Sequence, residues 1–484
     1  MRVAVVGGGV AGLSAARELA VGGADVVVLE SSARCGGKLD SVLVNGIRLD
    51  SGAESVLARR PEAVALMIDL GLGDQLVHPS QAKPQVYVGG RIVPLPPQAM
   101  GIPVDLDALA GLLTPEGLAR ARQEPSLPAP ALVGDVGIGA YVDQRFGTEV
   151  TDRLLEPLLG GVYAGHAREL SFQAVAERLF EQARHGGSLL QHARAMTPSE
   201  PAGPVFAGLA GGVAVLVDTL VADLARRGVE VRTGVTVREL TRRPGGGYRL
   251  VGGAVPDPKA RDVDAVVLAT PAGATARLLA PFAPAVAAEL AALPYASMAV
   301  NTLVVRNVAL AGSGLLVPPG ELPTIKALTY SSQKWQWVAD QATAVWGDGA
   351  AVVRASVGRF GEARLLQVDD ATMLARTVAE ARTLPGWEHA ELVTGHVRRW
   401  GGALPQYLVG HRGLVHRLRG TAADLAGIEV CGAALDGVGI AATIGSATTA
   451  ARNLLCGTER NQSVSAGSSA RPAQHVDHEE RSAR

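Results

Sequence analysis

The first thirty residues combine two short apolar runs with an amphipathic stretch between them. Residues 3–6 are β-branched or small and end at glycine, a pattern that predicts a buried strand. Apolar residues then recur every three or four positions over residues 9–21, which predicts a helix, and a glycine pair ends it. Residues 25–30 predict a second buried strand. The chain therefore opens with a strand–helix–strand unit.

The remaining pattern predicts a mixture of helices and strands. Residues 85–135 are rich in Pro and Gly, whereas 137–200 are expected to be mainly helical. The further predicted helices are 61–76, 213–227 and 441–455, and the further predicted strands lie around 86–93, 229–240, 248–251, 263–269 and 428–431. Between about 270 and 400, strands and helices alternate.

A glycine motif connects the first strand to the first helix. Gly7, Gly9 and Gly12 have the spacing G-x-G-x-x-G, with Gly8, Val10 and Ala11 between them. In a βαβ unit the three glycines permit a tight turn, backbone approach to a pyrophosphate and close helix–strand packing. Glu30 ends the second strand, where an acid binds ribose hydroxyls. This context predicts a dinucleotide site.

A second glycine pair favours FAD over a nicotinamide cofactor. Gly36 and Gly37 follow Glu30 closely, and a nicotinamide dehydrogenase does not usually need them. In FAD oxidases such a loop crosses the adenosine and pyrophosphate. Lys38 would then bring a positive charge near the phosphates, the alternative being a solvated lysine.

Two further turns are candidates for the flavin end of the cofactor. Residues 50–55 follow a strand, and their backbone amides would meet the flavin; the alternative is an ordinary turn. Residues 431–440 end a strand and open a helix. The positive end of that helix dipole would stabilise the negative charge of the reduced flavin.

Composition narrows the range of partners. The 484 residues, 48% hydrophobic, suffice for two or three domains, and a net charge of −1 with 4% aromatics gives no reason to expect nucleic acid. The three cysteines have no metal-ligand spacing, so no metal is predicted and a reducing compartment fits. No secretory signal or spanning segment is expected. These features predict a cytoplasmic protein and leave peripheral membrane association open.

Several motifs give the chain a resemblance to the protoporphyrinogen/coproporphyrinogen oxidases, within the amine-oxidase-type flavoprotein superfamily. The resemblance extends to about residue 456. Motifs typical of the superfamily are 7–12, 36–38, 269–271 and 437–440, and motifs closer to the porphyrinogen oxidases are 155–165, 314–318, 331–335 and 404–407.

The resemblance implies an α/β (α+β) fold with three parts. A discontinuous Rossmann-like FAD-binding domain would carry an inserted mixed-sheet substrate domain and a helical subdomain. The implied boundaries are 1–60, 205–275 and 400–456 for the FAD-binding domain, 61–85 and 276–399 for the substrate domain, 86–204 for the helical subdomain and 457–484 for a disordered tail.

The resemblance also implies which residues bind FAD. The implied contacts are Gly7, Gly8, Gly9, Val10, Ala11, Gly12, Glu30, Ser31, Lys38, Gly52, Ala53, Glu54, Ser55, Val237, Trp400, Val438, Gly439 and Ile440. Val237 would place its backbone against the adenine, and Trp400 would lie near the isoalloxazine. Without the resemblance, both are equally well explained as core residues.

The implied reaction is the six-electron oxidation of a porphyrinogen to a porphyrin in haem biosynthesis. Each cycle removes two electrons, with hydride passing from a bridge carbon to flavin N5, so three cycles are needed; dioxygen accepts the electrons and hydrogen peroxide is released. Pyrrole nitrogens can shed the protons, so no catalytic side chain is assigned. The soluble bacterial type suggests coproporphyrinogen III, with transient chelatase contact; protoporphyrinogen IX is the alternative.

Porphyrinogens carry propionates, which guanidinium groups bind bidentately. Arg59 stands where the family has a substrate-facing basic residue, and it is our candidate propionate anchor; otherwise it is a solvated arginine. Tyr163, Tyr407 and Lys334 are weaker candidates for the pocket.

Two rival functions are compatible with such a fold. Another FAD oxidase or desaturase of the superfamily would act on amines or polyenes, but residues 294–305 lack the lysine typical of amine oxidases. A GDP-dissociation-inhibitor-like binding protein would use the same fold without chemistry. Such proteins have lost the nucleotide motifs, which are intact here.

Overall fold

The computed structural model describes residues 1–197 and 203–468, with side chains of the final helix described to residue 457. Within these ranges the strands are β1 (Arg2–Val6), β2 (Asp25–Leu29), β3 (Ser41–Val44), β4 (Ile47–Asp50), β5 (Val56–Leu57), β6 (Leu76–Val77), β7 (Pro84–Val88), β8 (Arg91–Pro94), β9 (Gln98–Ala99), β10 (Ile102–Pro103), β11 (Phe206–Leu209), β12 (Glu230–Arg232), β13 (Val237–Arg242), β14 (Tyr248–Ala254), β15 (Asp257–Val263), β16 (Ala265–Leu268), β17 (Tyr295–Arg306), β18 (Gly314–Leu316), β19 (Ile325–Thr329), β20 (Ala351–Val357), β21 (Glu391–Pro405) and β22 (Ile428–Val430).

Helices connect these strands and form a separate helical unit. They are α1 (Val10–Val21), α2 (Pro61–Asp69), α3 (Pro115–Ala121), α4 (Ile138–Phe146), α5 (Thr148–Val150), α6 (Glu156–Tyr163), α7 (Phe172–Val175), α8 (Glu177–Ala183), α9 (Leu189–Met196), α10 (Val215–Arg226), α11 (Ala272–Leu279), α12 (Pro284–Ala291), α13 (Ser331–Lys334), α14 (Gln336–Trp346), α15 (Asp370–Ala381), α16 (His411–Asp424) and α17 (Ile440–Ser468).

A five-stranded parallel sheet forms the centre of the first domain. Its strand order is β12-β2-β1-β16-β22, so strands from the start, middle and end of the chain lie side by side. β1 and β16 are buried along nearly their whole length, which explains their uninterrupted apolar sequences. The discontinuous domain expected from the sequence has this physical basis.

Helices cover one face of the parallel sheet. Val3 and Val26 point to that face and pack with Leu13 of α1, Leu216 of α10 and Ile444 of α17. On the opposite face, alternate residues of the same strands pack against the antiparallel sheet β13-β14-β15 and helices α11, α12 and α16. The sheet is therefore the middle layer of three.

A seven-stranded mixed sheet forms the second domain, in the order β21-β17-β20-β19-β18-β7-β8. One face is covered by α15, whose Val378 packs with Leu303 and Ile325. The other face, here called the inner face, packs on α14 at one end, where Val304 and Val338 share a buried cluster. At the other end it meets α6 of the helical unit. This fold confirms the predicted α/β class with an inserted mixed sheet.

The helical unit has its own aromatic core and a buried ion pair. Phe146, Leu155 and Phe172 are fully or almost fully buried in it. Arg145 donates to Glu124 at 2.6 Å, and Ser188 donates to the second oxygen of the same carboxylate at 2.6 Å. Because the carboxylate is satisfied on both oxygens, it holds α4 and α9 to the segment between α3 and α4 that carries Glu124.

One predicted helix needs a correction, and two predicted domain boundaries lie within strands. The domain boundaries at 86 and 400 fall inside β7 and β21, both of which belong to the seven-stranded sheet. The helix expected over 61–76 ends at Asp69, because Gly71 adopts a φ of +79° and starts a turn.

The C-terminal helix extends further than predicted. α17 runs to Ser468, past residue 457, where disorder was expected to begin; residues 469–484 lie outside the described part of the chain. Residues 198–200, the end of the predicted helical region, also lie outside it. Among the described residues, no helix combines the length and apolarity needed to cross a membrane.

Candidate cofactor and substrate site

The turn between β1 and α1 has a geometry that only glycine permits. Gly7 has a φ of +107°. A Cβ on Gly12 would lie 1.8 Å from the Gly7 carbonyl oxygen, so the helix can approach the strand only without a side chain there. A Cβ on Gly9 would meet only Gly37, at 4.0 Å, so this face of the turn is open. The unpaired amides at the start of α1 complete a cradle for an anion.

The second glycine pair lies directly across this cradle. The Gly36 amide donates to the Gly8 carbonyl at 2.8 Å, and a Cβ on Gly37 would lie 3.3 Å from the Gly9 Cα. Gly36 has a φ of +109°. The two glycine segments are thus brought together through backbone alone, at the place where a pyrophosphate is predicted.

Glu30 lies beside the same turn. Its carboxylate accepts hydrogen bonds from the amides of Gly8, at 2.6 Å, and Ser32, at 2.7 Å. A carboxylate has about four acceptor positions, so ribose hydroxyls can still bind. The Val235 amide donates to the Glu30 carbonyl at 2.8 Å, which places the start of β13, and hence Val237, close to this end of the site. Ser31 is exposed next to Glu30.

Among the described residues, the Arg34 side chain has an ion-pair partner, whereas the Lys38 side chain has none. Arg34 donates to the carbonyl of Gly37 at 3.0 Å and pairs with Asp40 at 2.9 Å, so it holds the loop. Lys38 has no hydrogen-bond or ion-pair partner for its ammonium group within residues 1–197 and 203–468. Burial lowers the pKa of Lys38 to about 8. An unpaired, partly buried cation beside a glycine cradle suits a phosphate ligand.

Trp400 and Gly52 connect the two domains at the predicted flavin end. The Trp400 indole donates to the Ser51 carbonyl at 3.0 Å, and a Cβ on Gly52 would lie 3.2 Å from its ring. The same Cβ would lie 1.9 Å from the Lys38 carbonyl oxygen. Gly52 is therefore held between the phosphate loop and β21, and Trp400 is half-buried against it.

Glu54 is occupied by two cations of the seven-stranded sheet region. Its carboxylate oxygens lie 2.5 Å from Lys334 Nζ and 2.6 Å from Arg354 Nη1, and Arg354 also donates to the Gly52 carbonyl. Burial alone raises the pKa of Glu54, but the two cations outweigh burial and hold the pKa at about 2. The side chain is thus a fixed anion in an ion-pair cluster. The predicted cofactor contact at Glu54 stays a prediction for its backbone, as do those at Ala53 and Ser55.

Asp50 connects the segment at residues 50–55 to the start of α10. It accepts hydrogen bonds from the amides of Val213, at 2.9 Å, and Ala214, at 3.2 Å, just before α10. Burial raises the pKa of Asp50 to about 6, against the lowering effect of Arg354 and these two amides. The sequence motif at residues 331–335 identified Lys334 as a candidate. The sequence did not identify Asp50 as an anchor of this segment, and it gave no role to Arg354. No local signal joins them, because the partners are far apart in the chain.

The C-terminal segment is held by Tyr407. Its hydroxyl donates to the Ala433 carbonyl at 2.6 Å and accepts from the Gly437 amide at 2.8 Å, and Gly437 has a φ of +132°. Burial raises the pKa of Tyr407, so the hydroxyl keeps its proton. Val438 and Gly439 follow directly and Ile440 begins α17, so all three lie at a helix N-terminus as predicted for the flavin contact.

Two further candidates for the pocket differ in exposure, because Tyr163 is buried whereas Arg59 is exposed, and a role for either in the pocket stays a prediction. Tyr163 packs against Tyr407 with ring centroids 5.6 Å apart, and burial raises its pKa to about 12. Arg60 pairs with Glu62 at 2.8 Å. Arg59 is exposed and, within the described chain, has no hydrogen-bond or ion-pair partner for its guanidinium group. Of the two arginines, only Arg59 is thus available to a ligand.

These residues fit a dinucleotide cofactor that carries a flavin. The side-chain-free cradle and the unpaired Lys38 suit a pyrophosphate, Glu30 suits a ribose, and the α17 N-terminus suits a redox group that gains negative charge. With a second domain closing over the far end, the fold and the site define a two-domain flavoprotein.

Comparisons with known proteins also indicate a flavoprotein. The family model described as flavin containing amine oxidoreductase matches residues 10–455. A coproporphyrinogen III oxidase of Mycobacterium tuberculosis is 36% identical over 465 residues, covering 93% of this chain and 96% of the relative. A coproporphyrinogen III oxidase of Bacillus subtilis is 28% identical, covering 90% and 94%. A crystal structure named "Putative protoporphyrinogen oxidase", from Exiguobacterium sp. 255-15, has a TM-score of 0.80 at 29% identity, covering 94% and 98%.

The chain therefore belongs to the flavin-containing amine oxidoreductase family. The predicted resemblance and the predicted FAD-dependent oxidoreductase are both confirmed, and the cofactor is FAD. The individual FAD contacts and the propionate anchor stay predictions.

Proposed function

We propose that the chain oxidises coproporphyrinogen III to coproporphyrin III, with three dioxygen molecules reduced to three hydrogen peroxide molecules. The observation that carries this proposal is likeness along nearly the whole chain to relatives named coproporphyrinogen III oxidase, at 36% identity over 93% of its length. The intact cradle and the unpaired cations support it. The six electrons leave in three two-electron steps.

Each part of the chain has a separate task in this reaction. Bound FAD supplies the two-electron redox chemistry. Glu30, Lys38 and the glycine cradle would hold its nucleotide end, where chemistry does not occur. Trp400 and Gly52 would fix the flavin end between the domains. Arg59 would anchor a propionate, and the pyrrole nitrogens can lose protons to water without a protein base.

The proposal is tested by porphyrin fluorescence in air. Purified FAD-loaded protein is given coproporphyrinogen III or protoporphyrinogen IX, and the rate above the uncatalysed background is measured. Faster turnover of coproporphyrinogen III is expected. If neither substrate reacts while the protein stays yellow, the substrate assignment is wrong and only the FAD-dependent oxidoreductase remains.

Protoporphyrinogen IX is the second candidate. A protoporphyrinogen oxidase of Arabidopsis thaliana is 34% identical, but only over 39% of this chain. The Exiguobacterium structure bears a similar name over 94% of the chain. Preference for protoporphyrinogen IX in the fluorescence assay would favour this candidate, and it would place the enzyme after propionate decarboxylation.

We further propose a cytoplasmic location and transient contact with a chelatase that receives the product. The three cysteines are all unpaired in the structure, which fits a reducing compartment. Peripheral membrane binding is the open alternative. Sedimentation of active protein with vesicles, compared with a vesicle-free sample, distinguishes the two locations.

A further inference from the structure

Lys326 is a buried lysine without an acidic partner. Only 2% of the residue is exposed. Its Nζ lies 3.4 Å from the Gly160 carbonyl oxygen and 4.0 Å from the Met298 sulfur, and neither is a strong partner. Within the described ranges no carboxylate is at ion-pairing distance from it. Buried lysines are rare unless they are paired. The Lys326 ammonium group would therefore be stabilised by an anion from a ligand.

A β-bulge turns this side chain toward the inner face of the sheet. β19 pairs with β20 through Ile325 and Val357, and then through Ala327 and Ser356, so Lys326 is the extra residue. Ile325 packs toward α15 on the opposite face. Bulges commonly redirect one side chain, and here the redirected group is the charged one.

Space remains next to the ammonium group. Gly160 of α6 is buried, yet a Cβ built on it would meet nothing within 4 Å. A Cβ on the exposed Gly161 would touch only Leu316 of β18, at 3.8 Å. We call the space between these two glycines and the inner face the α6 groove. The Lys326 ammonium group, 3.4 Å from the Gly160 carbonyl oxygen, lies at its buried end, and the exposure of Gly161 shows that its other edge is open.

The α6 groove reaches the predicted flavin end. Met298, which contacts Lys326, is the cross-strand partner of Trp400 in the β17–β21 ladder. Trp400 packs on Gly52. A ligand lying over Trp400 therefore needs to extend by only about one side chain to reach the lysine.

Of Lys326 and the nearby Arg359, only Arg359 has a carboxylate partner among the described residues. Arg359 donates to the Val317 carbonyl at 3.0 Å, and its Nη1 lies 4.0 Å from Glu362. Burial, helped by the positive charge of Arg359 and opposed by Glu362, lowers the pKa of Lys326 to about 7. An incoming carboxylate would be bound by a charge-assisted hydrogen bond and would restore the missing counterion.

We propose that Lys326 binds a carboxylate group of the substrate in the α6 groove, as a second cationic anchor in addition to Arg59. This inference rests on the proposed function, because a porphyrinogen with propionates at several corners is the ligand that can meet both cations. Lys326 would position the macrocycle over the flavin end and would take no part in electron transfer.

The test compares ligands with and without charge. Binding of coproporphyrin III, which has four carboxylates, and of its tetramethyl ester is measured by fluorescence quenching in one detergent-containing buffer. Lys326→Met is expected to weaken binding of the tetra-acid by about 10- to 100-fold, the range for a hydrogen bond to a charged group, and to leave the ester unchanged. Equal losses for both ligands, or no loss, would overturn the proposal.

Two further variants separate charge from folding. Lys326→Arg keeps the charge and is expected to bind the tetra-acid within a few-fold of wild type; if it loses as much as Lys326→Met while retaining flavin, the charge is irrelevant and the proposal is wrong. Lys259→Met removes an exposed lysine paired with Asp257 and is expected to change nothing.

Kinetics separate this inference from the proposed function. With coproporphyrinogen III, Lys326→Met is expected to raise KM by a similar factor while kcat changes less than threefold. Wild-type turnover with an unchanged KM in the variant would refute the anchor and leave the function standing. No wild-type turnover, with tetra-acid binding still dependent on Lys326, would refute the function and leave the anchor standing.

Discussion

The predicted nucleotide end and the predicted flavin end of the site are held together by different kinds of contact. At the nucleotide end, glycine backbones approach one another, as in the 2.8 Å hydrogen bond from Gly36 to Gly8. At the predicted flavin end, side chains that are distant in sequence hold the backbone, as Trp400 holds Ser51 and Tyr407 holds Gly437. The first end depends on the absence of side chains, and the second depends on their chemistry.

This difference predicts how each end fails. A substitution at the nucleotide end should act by steric exclusion, so adding a single methyl group is enough. One at the flavin end should act by leaving buried polar groups without partners, so removing atoms is enough. The two kinds of damage are distinguishable, because only the second is relieved by a substitute that keeps the hydrogen bonds.

The largest effect is expected for Glu54→Ala. It leaves Lys334 and Arg354 buried without their shared anion, which costs about 3–5 kcal/mol of unfolding free energy. Purified protein should have a lower Tm and lose flavin. Glu177→Ala, which breaks the exposed pair with Arg412, is the control and should leave both unchanged. A Tm for Glu54→Ala within error of wild type would show that the cluster does not hold the domains together.

The same cluster predicts an acid dependence. Because the folded pKa of Glu54, about 2, lies below its ordinary value of 4.5, its stabilising effect is complete above about pH 4.5 and is lost as the pH falls toward 2. Glu54→Gln should flatten this part of a plot of Tm against pH. An equally steep plot for the variant would assign the acid sensitivity to other groups.

The next effect is expected for Gly12→Ala, which tests the nucleotide end. Its Cβ would lie 1.8 Å from the Gly7 carbonyl oxygen, so α1 must move, at a cost of about 1–3 kcal/mol or more. The ratio of flavin to protein absorbance should fall to near zero. Gly273→Ala in α11 is the matched control, because a Cβ there meets nothing within 4 Å. Full flavin content in Gly12→Ala would contradict the cradle.

Tyr407→Phe should have a smaller effect. It removes one hydroxyl that serves the Ala433 carbonyl and the Gly437 amide, at a cost of about 1–3 kcal/mol. Flavin should dissociate faster, as followed by dilution and fluorescence. Tyr248→Phe removes a comparable hydrogen bond to Ala426, remote from the flavin end, and should affect stability without affecting flavin release. Equal release rates in the two variants would assign Tyr407 to the fold alone.

The smallest effect is expected for Arg59→Ala. Because this arginine is exposed, loss of its propionate contact should raise KM only several-fold, about 1 kcal/mol, with kcat nearly unchanged. Arg60→Ala is the control, since Arg60 already pairs with Glu62. An unchanged KM for Arg59→Ala would reject the anchor at this position.

The same contrast explains what the sequence could predict. The cradle was predictable because Gly7, Gly9 and Gly12 act within one turn and their spacing carries the geometry. At the predicted flavin end, only separate segments were predictable. The resemblance identified Trp400 and Glu54, but it did not identify the residues that they contact. The ion pair of Glu54 with Arg354 depends on a strand register that no local pattern records.

Lys326 is an instructive omission. A lone lysine in the apolar stretch of β19 was a usable signal, since lysine is seldom buried. The bulge that redirects it was not predictable, because it depends on pairing between β19 and β20. The predicted domain boundaries at residues 86 and 400 lie within strands whose partners are distant in sequence, so no local pattern marks these strands as parts of one sheet.

The strand order of the parallel sheet also has a consequence for synthesis on the ribosome. β1 cannot pair with β16 until β16 has been synthesised. In the same way, β16 cannot pair with β22 until β22, near the other end of the chain, has been synthesised. At roughly 5–20 residues per second, β22 is made tens of seconds after β1. During that time the apolar edges of the early strands are uncovered. The nascent chain is therefore exposed to aggregation until its last strands emerge, and the supply of chaperones that cover such edges should limit the yield of active protein in cells.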